Sequence, residues 1–246
     1  MENPMVSVVI PFYNCEFVDQ AVKSVLDQTY KNFEIILVDD GSIKNKDLLN
    51  PYMDRIQYIY KENGGTATAL NVGIQAASGD LIAWLSSDDI FHPDKLQKQV
   101  EFMKKTKADL VYTNYNLINE SNETINKNVG LVIKRRVDFL RQLQKSCPIN
   151  GSTVLVKKEV LSLVGGFNKS LKYTQDYDMW NRIACKYHLE ILNESLLDYR
   201  VHSNMGSQRF ADEQRKEIEV VQEKYKDILD RLIYLEENGE AGLGSI

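Results

Sequence analysis

Hydrophobic residues in the first half of the chain form short, nearly continuous runs that alternate with segments of helical periodicity. Such runs are typical of strands buried on both faces, as in a parallel sheet covered by helices. The predicted strands are 6–10 (stopped by Pro11), 33–39, 56–60, 81–89 and 110–113. Helices are predicted to follow from Phe17, from Thr66 as an N-cap, and from Pro93 in a first helical turn. Alternating strands and crossover helices predict an α/β fold with a parallel sheet.

The second half of the chain is less regular. Residues 119–130 are polar and rich in asparagine, which predicts an exposed loop. The remaining predicted elements are a strand at 153–156, a short helix ended by Gly165-Gly166, a helix at 176–187, and short strands near Ile191 and at 197–201.

A long amphipathic helix is predicted at 213–235, because apolar residues recur there at spacings of three and four among charged ones. Three arrangements of this helix are open: packing on its own domain, pairing with a second subunit to form a homo-oligomer, or docking at a membrane. Its acidic residues disfavour the membrane. The last ten residues are expected to fray.

Composition narrows the class of protein. A chain of 246 residues with a net charge of −5 can form one large or two small domains, and nucleic-acid-binding proteins usually carry a basic excess instead. The three cysteines lie far apart, which is typical of reduced thiols and not of a disulfide framework or a zinc site. No signal peptide or membrane-spanning run is recognisable, so we expect a cytoplasmic protein.

Two of the predicted strands end in a pair of aspartates, Asp39-Asp40 and Asp88-Asp89. Ligands of open α/β sheets bind beyond the carboxyl ends of the strands, so the four carboxylates are expected on one rim of the sheet. Clustered carboxylates repel each other unless a cation lies among them. The pattern therefore predicts a divalent cation together with a phosphorylated ligand.

Several short motifs, taken in order, resemble those of the inverting family 2 glycosyltransferases over about residues 5–205. They are 8–14, 38–42, 63–65 with Asn71, 79–80 leading to 87–89, 165–167, 175–180 and 199–202. The resemblance implies the GT-A fold, a mostly parallel central sheet flanked by helices. It also implies one catalytic domain over 1–210, with a nucleotide-sugar-binding half at 1–113 and an acceptor-binding half at 114–210. A C-terminal helical extension at 211–246 would follow.

The resemblance implies a donor site with a metal. Asp89 would coordinate Mn²⁺ or Mg²⁺ together with His202, and Asp88 would contact the ribose or the metal. A cation there would stabilise the negative charge that grows on a departing diphosphate. Other residues implied in nucleotide-sugar binding are Pro11, Tyr13 (stacked on the base), Asn14, Asp39 (accepting from uracil) and Asn71. The alternative is that the Asp88-Asp89 pair merely caps the following helix.

Asp176 is implied to be the general base. An inverting transfer needs one carboxylate to accept the proton of the attacking hydroxyl, and a helix N-terminus would keep Asp176 ionised. Alternatively, Asp176 is an N-cap with a structural role only. Two positions depart from the family pattern: Gln175 replaces the usual glutamate, and Leu70 stands where an arginine often precedes the asparagine.

These motifs imply transfer of a sugar from a nucleoside-diphosphate donor, with a UDP-sugar expected, to a glycan or lipid-linked acceptor in cell-wall or surface-polysaccharide synthesis. The alternatives are a relative that binds a nucleotide-sugar without transferring it, or a sugar-phosphate nucleotidyltransferase. The basic segments 104–107 and 134–136 are typical of solvated faces. If they instead contact anionic lipid or a lipid diphosphate, the protein would lie peripherally at the inner face of the cell membrane.

Overall fold

The computed structural model describes residues 3–203, 205 and 210–240. The strands are β1 (Val6–Phe12), β2 (Phe33–Asp39), β3 (Gln57–Tyr60), β4 (Leu81–Trp84), β5 (Ile90–Phe91), β6 (Leu110–Ile118), β7 (Thr124–Val129), β8 (Leu155–Lys157) and β9 (Leu189–Arg200). The α-helices are α1 (Val18–Leu26), α2 (Thr66–Ala76), α3 (Lys95–Thr106), α4 (Arg136–Leu143), α5 (Lys158–Val164), α6 (Gln175–Ala184) and α7 (Ala211–Glu237).

Within these ranges the strands form one sheet in the order β3-β2-β1-β4-β8-β6-β9-β5, with β7 beside β6. The first four strands in this order are parallel, as the sequence predicts. β8 is antiparallel to both β4 and β6, whereas β9 runs parallel to β6. The predicted α/β architecture is confirmed, and the antiparallel strands are confined to the second half of the sheet.

Alternation along β1 shows how helices cover both faces of the sheet. Val8 and Ile10 pack in one apolar cluster with residues of α1 and α3. Val9, which points to the opposite face, packs in a second cluster with residues of α2 and α6. The side chains of Val8, Val9 and Ile10 are all fully buried. Because both faces of β1 are covered, its consecutive residues are hydrophobic.

Several predicted boundaries differ from the structure around the aspartate pairs. β4 ends at Trp84, and residues 85–89 form a turn before β5 instead of continuing the strand. The N-cap of α2 is Gly65 and not Thr66. The backbone at Gly65 has a φ of +86°, a conformation that favours glycine. α3 begins at Lys95, so Pro93 precedes the helix. β1 continues through Pro11 to Phe12.

Two further corrections concern non-local strand pairing. The asparagine-rich segment predicted as a loop contains β7, which pairs antiparallel with β6. The two short strands predicted near Ile191 and at 197–201 are a single strand, β9. Both strands are polar at many positions, so hydrogen bonds to a neighbouring strand, and not local propensity, determine their conformation.

α7 packs on its own domain, the first of the three arrangements considered. Val221, Tyr225 and Leu229 belong to the same apolar cluster as Trp180. Glu236 forms a 2.8 Å ion pair with Arg136 at the start of α4. In the described part of the chain, no helix combines the length and hydropathy needed to cross a membrane. The fraying expected for the last ten residues falls largely on 241–246, which lie outside the described residues.

Lys95 gives a testable prediction about stability. Its side chain is fully buried on α3, where the amino group donates to Gln99 and lies 4.2 Å from the centroid of the Phe91 ring. Burial without a carboxylate partner lowers the pKa of Lys95 from 10.5 to about 7. Between these two values the unfolded chain binds the proton and the folded protein does not, so stability should increase as pH rises.

We expect the Lys95 term to raise the free energy of unfolding by up to about 1.4 kcal/mol per pH unit between about pH 7 and 9. In Lys95→Met this part of the pH dependence should be absent, whereas Lys105→Met, at an exposed position on the same helix, should keep it. Urea unfolding at several pH values would measure both. Identical pH profiles for wild type and Lys95→Met would contradict the prediction.

Candidate active site

Asp88 and His202 face each other at the rim where β4 and β9 end. His202 Nε2 lies 3.0 Å from Asp88 Oδ2, and 25% of the Asp88 side chain is exposed. The hydrogen bond to Asp88 raises the pKa of His202 above its ordinary value. The edge of the imidazole meets the Phe17 ring at a centroid distance of 5.7 Å. A carboxylate oxygen and an imidazole nitrogen thus meet at a partly solvent-accessible point.

Asp89 has a different environment from its neighbour. It is fully buried, and its two carboxylate oxygens accept hydrogen bonds from Ser152 Oγ at 2.6 Å and from the Arg200 backbone N–H at 3.1 Å. Burial, and next the charge of Asp88, raise the pKa of Asp89 well above its ordinary value. Each Asp89 oxygen thus already accepts one hydrogen bond and is shielded from solvent, whereas the Asp88 carboxylate is accessible. The direct metal contact of Asp89 stays a prediction.

Arg200 is a residue that the sequence analysis missed. Its guanidinium donates to the Asp88 carbonyl at 2.8 Å, to the Asn119 carbonyl at 3.0 Å and to Gln20 Oε1 at 2.9 Å. It also lies 4.2 Å from the centroid of the Phe17 ring. A fully buried arginine with these partners fixes the turn that presents Asp88. Its sequence signal was its place in the 199–202 motif, to which no role for Arg200 was assigned.

Two loops meet where a nucleobase is predicted to bind. Asn14 adopts the left-handed conformation (φ 52°), and its side-chain oxygen accepts from the backbone N–H of Ile43 at 2.8 Å and of Lys44 at 2.9 Å. Asn14 therefore joins the loop after β1 to the loop after β2. Tyr13, beside it, is 55% exposed and leaves its ring free to stack, and Pro11 is partly buried at the end of β1.

Both aspartates of the first pair are buried and support neighbouring loops. Asp39 accepts from the Ser42 backbone N–H at 2.7 Å and from the Tyr58 hydroxyl. Burial, together with this hydrogen bond, raises the pKa of Tyr58, so the phenol remains the donor. Asp40 accepts from Lys61 and from the backbone of 64–65, and so anchors the loop before α2. The structure thus brings Asp39 close to the predicted base site with both oxygens already engaged.

Asn71 connects α2 to the loop that follows α5. Its side-chain amide donates to the Phe167 carbonyl at 2.9 Å, and its oxygen accepts from the Phe167 N–H at 2.7 Å. A Cβ at Gly166 would lie 2.5 Å from that oxygen, so this close approach requires glycine. Asn71 therefore holds the loop after α5 through both of its polar atoms, and its role in nucleotide-sugar binding stays a prediction.

Asp176 is the second residue of α6, whose N-cap is Thr174, so Asp176 is not an N-cap. Its carboxylate accepts the Tyr177 backbone N–H at 2.8 Å. We expected the helix terminus to keep the pKa of Asp176 low, but burial raises it to about 6. Near neutral pH the carboxylate is still mostly ionised and has a higher proton affinity than an ordinary aspartate, which suits a general base.

Three aromatic side chains, Trp84, Phe167 and Trp180, pack against one another. The Phe167 ring meets Trp84 and Trp180 edge to face, with centroid distances of 5.8 and 6.3 Å. Neither indole N–H has a hydrogen-bond partner among the described residues, and neither has the Gln175 side-chain oxygen. Trp180 is buried, and of these polar atoms the Gln175 oxygen belongs to the residue directly before Asp176.

Comparison with known proteins identifies the fold and the family of this chain. In a solved structure of Staphylococcus aureus TarS 1–349 in complex with UDP-GlcNAc, the matched region covers 94% of this chain and 72% of that chain, with 17% sequence identity and a TM-score of 0.69. At this identity the likeness establishes the fold, which is the GT-A fold of nucleotide-sugar transferases.

The family model "Glycosyl transferase family 2" matches residues 7–164, so the chain belongs to glycosyl transferase family 2. An uncharacterized glycosyltransferase of Rickettsia felis is 36% identical over 219 residues, which is 85% of this chain and 36% of that protein. This chain therefore spans about a third of the length of that relative. The Escherichia coli UDP-Glc:alpha-D-GlcNAc-diphosphoundecaprenol beta-1,3-glucosyltransferase WfgD is 31% identical over 242 residues, covering 96% of this chain and 92% of WfgD.

Proposed function

We propose that this protein is a Mn²⁺-dependent inverting glycosyltransferase that moves a sugar from UDP to a hydroxyl group of a glycan or lipid-linked acceptor. The observation that carries this proposal is the Asp88–His202 pair at the rim of the sheet, with an oxygen and a nitrogen 3.0 Å apart. Family 2 membership supports the nucleotide-sugar donor.

Asp88 and His202 would hold the metal, in place of the predicted Asp89. A donor set that includes imidazole nitrogen suits Mn²⁺ better than Mg²⁺, which prefers oxygen ligands. No group of three or more acidic, histidine or cysteine side chains suited to a metal occurs among the described residues. Two protein ligands leave coordination positions for diphosphate oxygens and water. When bound, the cation would stabilise the negative charge on the departing diphosphate.

Other residues of the donor half would shape the site around the nucleotide. Tyr13 offers an exposed ring on which the base can stack. Asn14 and Asp39 act through the backbone that they hold, at 43–44 and at Ser42, and so fix the position of Tyr13. The half at 1–113 would therefore bind the donor, and the half at 114–210 would bind the acceptor.

Asp176 would accept the proton of the attacking hydroxyl. As that proton moves to the carboxylate, the hydroxyl oxygen forms a bond to the anomeric carbon. The bond from that carbon to the diphosphate breaks on the opposite face, which inverts the configuration. The pKa of about 6 keeps Asp176 ionised at neutral pH and able to hold the proton during transfer.

The acceptor class rests on the relative WfgD, whose name gives a lipid-linked diphosphate sugar as acceptor and UDP-glucose as donor. A lipid-linked acceptor would bring the protein to the inner face of a membrane. In the basic segment 134–136, for which lipid contact was the alternative to a solvated face, Arg135 pairs with Asp138 at 2.6 Å and Arg136 with Glu236. Membrane association through the acceptor is therefore better supported than association through this segment.

Calorimetric titration with UDP, GDP, CDP and dTDP, each with and without Mn²⁺, would test the proposal. We expect UDP to bind more tightly than the other nucleotides, and only when Mn²⁺ is present. The absence of metal-dependent binding of any nucleotide would overturn the donor site. UDP binding without any release of UDP from UDP-sugars would instead favour a relative that binds the donor without transferring it.

A further inference from the structure

We propose that Glu217, on the C-terminal helix α7, is a positioning residue that holds the segment presenting Asp176; this inference rests on the proposed function. The geometry assigns α7 to the catalytic apparatus and not to a separate extension. The hydrogen bonds at the N-terminus of α6 support this role.

Glu217 reaches across to the three residues that precede α6. One carboxylate oxygen accepts the Lys172 backbone N–H at 2.9 Å. The other accepts the Tyr173 N–H at 2.9 Å, the Thr174 N–H at 3.0 Å and the Thr174 hydroxyl at 3.0 Å. A single half-buried side chain from a remote part of the sequence thus receives four hydrogen bonds.

These four bonds anchor the chain at the point where α6 begins. The N-cap residue of α6 is Thr174, and its side chain forms no capping bond to the helix backbone. Amide groups at a helix N-terminus need acceptors and favour a negative charge. Glu217 accepts the N–H of Thr174 and places a carboxylate beside this terminus, and its other two backbone donors, Lys172 and Tyr173, immediately precede it. The position of the first helical turn, and of Asp176 within it, therefore depends on α7.

A second set of contacts joins α7 to the same turn. Asp178, two residues after Asp176, is buried and accepts from Lys224 at 2.7 Å and from the Tyr225 hydroxyl at 2.9 Å, both on α7. It also accepts from Arg182, which donates in turn to the backbone carbonyls of 164–166. α7 therefore forms hydrogen bonds to residues that precede Asp176 in the sequence and to a residue that follows it.

A general base must lie within hydrogen-bonding reach of its proton, and a misplacement of about 1 Å can cost a hundredfold in rate. The donor residues Asp88 and His202 make no contact with Glu217 among those described. Loss of Glu217 should therefore impair turnover and spare donor binding. A general structural defect would impair both.

The test compares Glu217→Ala and Glu217→Gln with Glu219→Ala, an exposed glutamate two residues further along α7. For Glu217→Ala we expect a kcat for UDP-sugar turnover at least about tenfold below that of the control. The Kd for UDP with Mn²⁺ should stay within about twofold of wild type, an affinity difference of less than 0.5 kcal/mol. Glu217→Gln retains one acceptor oxygen and should be intermediate. Hydrogen exchange at the amides of 172–174 should be faster in both variants.

Two results would overturn the inference: unchanged exchange at 172–174 in Glu217→Ala, or faster exchange there with kcat equal to that of Glu219→Ala. A parallel loss of UDP affinity and thermal stability would show a general structural role and would also overturn it. If the wild-type protein binds no nucleotide and releases no UDP, the proposed function fails by itself. Exchange at 172–174 would then still decide whether Glu217 holds this segment.

Discussion

Asp176→Asn is expected to lower kcat by about a thousandfold, the middle of the range for loss of general base catalysis. Asparagine matches the volume of aspartate and keeps an oxygen that can accept the Tyr177 N–H, so the fold of α6 should be preserved. An amide cannot take up the proton of the acceptor hydroxyl. Donor affinity should be unchanged, because the Asp88–His202 pair is untouched.

The pH dependence of kcat adds an independent test of the same role. The reaction needs ionised Asp176, whose pKa is raised to about 6 by burial, so kcat should fall as pH decreases below about 6. The stability contribution has the opposite sign. Between 3.8 and about 6 the folded protein holds a proton that the unfolded chain has released, so this group destabilises the fold as pH rises through that window. At neutral pH, Asp176→Asn should therefore be at least as stable as wild type.

Steady-state kinetics over a pH series would measure both effects, with Asp54→Asn, an exposed site in the donor half, as the control. A kcat for Asp176→Asn within about tenfold of wild type would remove this residue as the base, because even a weak general base contributes more than that. An acidic limb that persists unchanged in the variant would assign the limb to another group.

Asp88→Asn is expected to weaken Mn²⁺-dependent UDP binding by about a hundredfold, because the loss of a charged ligand costs at least as much as the loss of a supporting residue at a metal site. Stability should change little, since the Asp88 carboxylate is partly exposed and its side chain hydrogen-bonds to His202 among the described residues. His202→Gln should also weaken the metal dependence, by removing the nitrogen ligand.

For Asp89→Asn we expect the opposite: a loss of stability and little change in Mn²⁺-dependent UDP binding. Its carboxylate is fully buried and accepts from Ser152 and from the Arg200 backbone. Asparagine keeps only one acceptor oxygen, so one buried donor loses its partner, and the free energy of unfolding should fall by about 1 to 3 kcal/mol. Calorimetry and urea unfolding of both variants would separate the two roles. If Asp89→Asn folds normally and loses the metal dependence while Asp88→Asn retains it, the sequence-based assignment of Asp89 is correct and ours is wrong.

Local sequence patterns predicted the strands and turns of the proposed donor site. The buried runs of β1 and β2, and the turn residues that follow them, depend on hydrophobicity and on residues near in sequence, so their bounds and their parallel pairing were predicted closely. The family motifs also pointed to Asp176 and to the region of Asp88, because such motifs combine residue type with spacing. The family was confirmed by the match to its model over residues 7–164.

Sequence alone determined the α/β class, the order of the elements through β4, and the residue types available for catalysis, because periodicity and turn chemistry are local properties. Tertiary structure decided which aspartate of the second pair faces outward: Arg200 and Ser152, from remote segments, bury Asp89 and leave Asp88 accessible. It also decided the conformation of β7 and β9, and the four hydrogen bonds of Glu217 ahead of α6. These features depend on hydrogen-bond partners far apart in the chain, which no local pattern specifies.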